Sequence, residues 1–175
     1  MGDEVWDAVG SVLILVAIGL IIFFIFNLAK GRRKKNNDAW KQAATELGLD
    51  FTPATRIFGK YRMSGVIGKQ LSCSVWAYTE PNGQGGYTTF MNYDVRFPQR
   101  LNKVKELLTP NIQSKLLEVN NVLKKVVVSD DSINSTRVSG FIRKSEILIQ
   151  NVKLLIQLAE LIIPNEEVDS IFEEI

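Results

Sequence analysis

The sequence predicts an α+β protein. One N-terminal transmembrane helix leads into a domain with an antiparallel meander, a second hairpin and a long C-terminal helix packed on the sheet. Three observations carry this. Residues 8–29 read AVGSVLILVAIGLIIFFIFNLA without a charge. Between residues 61 and 97 apolar side chains recur at every second position, the period of a strand. Between residues 144 and 163 they recur at intervals of three and four, the period of a helix.

The first segment has only Ser11 and Asn27 as polar side chains. Its twenty-two residues span about 33 Å at roughly 1.5 Å per residue, enough to cross a hydrocarbon core with modest tilt. A core helix would keep a polar stripe, and a cleaved signal peptide would begin with basic residues. Here MGDEVWD carries Asp3, Glu4 and Asp7, and Phe26-Asn27-Leu28-Ala29 runs straight into charge. The expected organisation is a short exoplasmic N-terminus over 1–7, a span over 8–29 and a basic juxtamembrane linker over 30–37. A cytoplasmic α+β domain over 38–164 and an acidic amphipathic tail helix over 165–175 complete it.

Lys30, Arg32, Arg33, Lys34 and Lys35 follow the span, against no basic residue before it. Clusters of Lys and Arg beside a span stay on the cytoplasmic side, so the N-terminus is expected outside and the domain inside. The cluster is also placed to meet anionic lipid headgroups, at about 1 kcal/mol per basic residue. The sequon Asn134-Ser135-Thr136 is expected to stay bare in a cytoplasmic domain.

The domain opens with NDAWKQAATELGLDF. Trp40, Ala43, Ala44 and Leu47 share a helix face and Gly48 ends it. Trp40 either anchors at the membrane interface or packs on the domain. Two strands meet near Gly68-Lys69. On the second, Leu71, Cys73, Val75 and Ala77 line one face, while Trp76 and Tyr78 line the other. The loop EPNGQGG lacks the Lys-Ser/Thr and the following helix of a phosphate-binding loop, and reads as a hairpin connection. Met91, Tyr93, Val95 and Phe97 then alternate with Asn92, Asp94 and Arg96.

After Pro98, Leu101, Val104, Leu107 and Leu108 fit one helix face. Thr109-Pro110 opens a second helix with Ile112, Leu116 and Leu117. A hairpin turning at Asp130-Asp131 follows. The last helix, 144–163, is apolar at Ile147, Leu148, Val152, Leu155, Ile156, Ala159, Ile162 and Ile163, and needs covering on two sides. In the tail, Val168, Ile171, Phe172 and Ile175 fall on one face, with Glu166, Glu167 and Asp169 in the first turn. That face either docks on its own domain or is a recognition peptide for a partner.

Composition narrows function. The chain has no histidine and one cysteine, Cys73. That removes Ser-His and Cys-His catalysis, His-ligated metals and an internal disulfide. In its apolar alternation Cys73 reads as a small buried hydrophobe. Residues 1–37 hold five basic and three acidic residues, matching the net +2 of the whole chain. Residues 38–175 are therefore neutral, and with five acids in the tail, 38–164 stand at +5. That charge is too weak and scattered for a nucleic-acid footprint.

The layout resembles prokaryotic membrane-anchored α+β proteins of uncharacterised families, through Trp40–Phe51, Gly65–Gly68 and the 144–163 helix. It is similar, more loosely, to single-span accessory subunits of the mitochondrial inner-membrane import machinery. The leading expectation is a non-enzymatic, single-pass accessory or scaffold presenting its domain to a protein partner, without cofactor, metal or nucleic acid. The alternative is a lipid or small-ligand domain with its pocket between the meander and the last helix. An enzyme would have to rest on carboxylates such as Asp50, Glu80 or Asp94.

Overall fold

A computed structural model describes residues 2–54, 59–101, 104–138 and 141–163, with side chains in the first helix from residue 13 onward. The chain divides into two compact units, 1–36 and 37–175. The expected tail helix, with Val168, Ile171, Phe172 and Ile175, lies outside the described residues.

Helix α1 is Gly2–Leu47. It includes residues 30–37, the expected basic juxtamembrane linker. Lys and Arg are good helix formers, and they outnumber the weak positions Gly31, Asn36 and Asn37. Gly48 stops the helix with a φ of 68°, and the Leu49 amide reaches back to the Ala44 carbonyl at 2.8 Å. Such left-handed closure is what glycine permits.

In the second unit, β1 (Asp50–Thr52), β2 (Tyr61–Ile67), β3 (Leu71–Pro81) and β4 (Tyr87–Arg96) form the expected meander with a short extra edge strand. Helix α2 (Val104–Leu107) and helix α3 (Pro110–Leu123) lead to the hairpin β5 (Val126–Val128) and β6 (Ser132–Val138), and α4 (Ser145–Ile162) follows. All neighbouring strands are antiparallel, in the order β1-β2-β3-β4-β6-β5. The helix foreseen after Pro98 shrinks to one turn. Pro110 disfavours helical backbone at Thr109, and the Leu101 amide is held instead by the Asp130 carbonyl at 2.7 Å. Thr109 caps α3 as expected, its hydroxyl accepting from the Ile112 amide.

The helices cover one face of the sheet. Leu148, Val152, Leu155, Leu158 and Ala159 of α4 meet Met63, Val75, Met91 and Val95, all fully buried. The other side of α4 is covered by α3 through Val119 and Leu123. The buried stripe of α3 runs Ile112, Val119, Leu123, and Leu117, placed on it by the sequence reading, is 65% exposed. Trp40 packs on the domain. Its indole donates to the Ile142 carbonyl at 3.2 Å, and its ring lies 5.6 Å from Tyr61 and 5.7 Å from Phe141.

Candidate functional site

Two features of the described residues stand out against a chain built only to bury its apolar surface. The first is in unit 1. A stretch within Leu13–Leu47 is long and apolar enough to cross a membrane, with a mean hydropathy of 2.6 and none of it buried. Leu13, Phe23, Phe24 and Phe26 each expose more than half their surface. Soluble monomers rarely expose contiguous apolar surface of that kind. Lys30, Arg32, Lys34 and Lys35 are exposed and Arg33 is half-buried.

The second feature is the sheet face opposite the helices. Strand pairing lines up Asp50, Ser64, Ser74, Asp94 and Asn134 in one row across five strands. The adjacent row holds Thr52, Arg62, Trp76, Asn92 and Thr136, and the next pairs Tyr78 with Phe90. Tyr78 and Phe90 stack at 5.2 Å, and the Lys60 ammonium sits 5.9 Å from the Tyr78 ring. Among the described residues no helix lies on this face. Trp76 and Tyr78 are half-buried and Arg62 and Arg96 exposed.

Its centre is drier than the sequence suggested. Asn92 and Asp94 alternate with the core-facing residues of β4, yet they are only 8% and 7% exposed. Long neighbours explain this: Trp76 and Phe90 stand beside Asn92, and Arg96 folds over Asp94 with Nε donating at 2.9 Å. That pairing holds the Arg96 guanidinium above its ordinary pKa. Thr136 donates to the Asn92 Oδ1 at 2.8 Å, while the buried Asn92 Nδ2 has no hydrogen-bond partner among the described residues. An unmade bond at such a donor costs about 1–3 kcal/mol.

Two grooves open elsewhere in unit 2. One, of about 380 Å³, is lined by Glu46, Glu146, Ile149, Gln150, Lys153, Leu154 and Gln157. Another, of about 440 Å³, is lined by Asp38, Lys41, Gln42, Thr45 and Glu46. The alternative expectation places a ligand pocket between the meander and α4. Asn151 of α4 donates to the Tyr93 hydroxyl of β4 at 2.9 Å there, both groups buried. An asparagine amid the apolar positions 148, 152 and 155 is the sequence signal for this bond.

The candidate carboxylates are not brought together. Asp50 and Asp94 share a row but are three strand spacings apart, about 14 Å. Glu80 is near the hairpin tip, paired with Thr88. Cys73 is buried, and its thiol is pushed up to about 12 by burial first and by the charge of Asp94 second. No cluster of three potential metal ligands occurs among the described residues. Compared with protein-family models, curated proteins and solved structures, the chain matches none.

Proposed function

We propose that this is a single-pass, non-enzymatic accessory protein that holds an α+β domain at the cytoplasmic face of a membrane. There it offers the helix-free side of the sheet to a protein partner. The uncovered sheet face carries the reading. Trp, Tyr and Arg are the side chains that dominate protein interfaces, and Trp76, Tyr78, Arg62 and Arg96 gather around a desolvated centre at Asn92 and Asp94. The six charges of this face, Lys60, Arg62 and Arg96 against Asp50, Glu80 and Asp94, balance, which favours a mixed protein surface over a polyanion.

The exposed apolar run of α1 supports the anchor. The five basic residues after it support the orientation and an affinity for anionic lipid.

Recovery of bound material in mild detergent, wild type beside Trp76→Ala and Arg62→Glu, tests the partner. The expected result is one stoichiometric protein held by wild type and reduced at least tenfold by each substitution, with melting unchanged. Equal recovery by all three would exclude this face. Lipid retained in place of protein would favour the ligand-binding alternative.

A further inference from the structure

Helix α4 is buried where it meets the sheet and α3, yet a further stripe along it stays open. Ile147 is 40% exposed, Leu161 is 43% exposed, and Leu154 between them is half-buried. Spaced by seven, the three keep to one helix face over about 21 Å. Beside the stripe runs the groove floored by Ile149 and Leu154, with Glu46, Glu146 and Lys153 at its edges.

The chain itself supplies a matching occupant. After Ile162, Ile163 turns to extended backbone (φ −71°, ψ 123°), as suits a residue before proline. Beyond Pro164, Asn165 is a favoured helix cap, and Glu166 and Glu167 fall where the helix dipole attracts acids. Val168, Ile171, Phe172 and Ile175 then share a face. Eleven residues of helix reach about 16 Å, which fits within the open stripe.

We propose that residues 165–175 fold back antiparallel to α4 and lay that face on Leu154 and Leu161, with Phe172 in the groove. Reflection about Pro164 sets Val168 beside Leu161 and Phe172 beside Gln157 and Leu154. Glu173 and Glu174 come within one helical turn of Lys153. Its ion pair with Glu46 is 3.6 Å long and more than half exposed on both sides, so Lys153 can serve the tail as well. Covalent attachment gives the tail a local concentration in the millimolar range, which a second copy or a separate partner must exceed. This inference stands apart from the membrane reading and from the sheet-face proposal.

The test uses the full chain in detergent micelles, with Cys73→Ala to leave no native thiol. Gln157→Cys combined with Ile171→Cys joins positions that the fold-back sets opposite each other. Glu146→Cys combined with Ile171→Cys is the mismatched control, eleven residues further along α4. The expected result is an intramolecular disulfide forming at least tenfold faster in the matched pair. Equal rates would show a tail off the stripe, and disulfide-linked dimers would show a second copy in its place; either overturns the proposal. A cysteine-free check is cleavage by a Glu-specific protease. Wild type should resist at Glu166, Glu167, Glu173 and Glu174, and Leu154→Glu should be cut there at least tenfold faster. Equal cleavage would also overturn it.

Discussion

Cys73 shows how a single position fixes behaviour across the pH range. Its side chain faces α4 from the middle of β3, where a thiolate would have no solvation. Its ordinary value of 9.0 rises to about 12, and Tyr93 on the neighbouring strand rises from 10.0 to about 12, also chiefly by burial. Between about pH 9 and 12 the unfolded chain has released protons that the folded protein still holds. Stability therefore is whole below pH 9 and falls as pH rises through that interval. Denaturant unfolding at pH 7 and pH 10.5 should show the fall, and Cys73→Ala should flatten it while costing some stability at pH 7. Identical losses in the two proteins would mean that the thiol is not the titrating group. At neutral pH, alkylation of Cys73 should require unfolding, since so little thiolate exists to react. Backbone conformation gives a second test at this scale. Lys124 is held at φ 62° and ψ 150°, a region natural only to glycine. The hydroxyl of buried Ser135 donates to its carbonyl at 2.9 Å and helps keep it there. Lys124→Gly should raise stability by about 1 kcal/mol, and a loss in chemical denaturation would refute the strain.

Among elements, α4 and β4 decide whether the two layers stay together. Leu155 is fully buried at their contact, so Leu155→Ala should cost about 2–5 kcal/mol. Gln84→Ala, in the exposed hairpin tip, should stay within about 0.5 kcal/mol. The Asn151–Tyr93 bond tests the same contact differently. Tyr93→Phe should cost about 1–3 kcal/mol by stranding the Asn151 amide, and Asn151→Leu should cost a similar amount. The double variant should cost clearly less than the two together, because neither polar group is then left unpaired. Strict additivity would mean that the bond contributes nothing. These elements were legible in the sequence because each repeats one period for long enough. Leu71, Cys73, Val75 and Ala77 show a strand, and Leu148, Val152, Leu155 and Ala159 show a helix. β1 was not legible, since three residues cannot display an alternation and their partner is set by Ser64, Met63 and Arg62 on β2. The continuous helix through 30–37 was not legible, because a cluster of Lys and Arg does not of itself end or extend a helix. The dry centre at Asn92 and Asp94 was hidden for another reason. Alternation assigns both to the wetter face, and their burial comes from Phe90 and Arg96, two residues along the same strand, together with Trp76, which only pairing brings across from β3.

At the scale of the whole molecule, the distribution of charge about the apolar run is what bears on topology. Asp3, Glu4 and Asp7 precede the run, and Lys30, Arg32, Arg33, Lys34 and Lys35 follow it. The basic residues set orientation and acids contribute little, so five against none is a strong bias. The sequon at Asn134 is a poor reporter of that bias. Its side chain donates to the Ser132 hydroxyl at 2.9 Å in mid-strand, and Ser135 beside it is buried, so a bare Asn134 fits either orientation. Cysteine labelling serves better, because buried Cys73 gives a silent background. Asp3→Cys and Gln84→Cys place one thiol before the apolar run and one at the exposed tip between β3 and β4. In intact cells a membrane-impermeant maleimide should label Asp3→Cys alone, and permeabilised cells should label both. Replacing the five basic residues by Glu removes the bias, so the fraction of Gln84→Cys labelled from outside should then rise. Labelling of Gln84→Cys in intact cells without that replacement would invert the proposed topology. Release of the protein from membranes by high salt or carbonate would remove the span itself. A peripheral helix held by its basic residues is screened as the Debye length falls from about 10 to 3 Å, whereas an uncharged run of twenty-two residues across a bilayer is not.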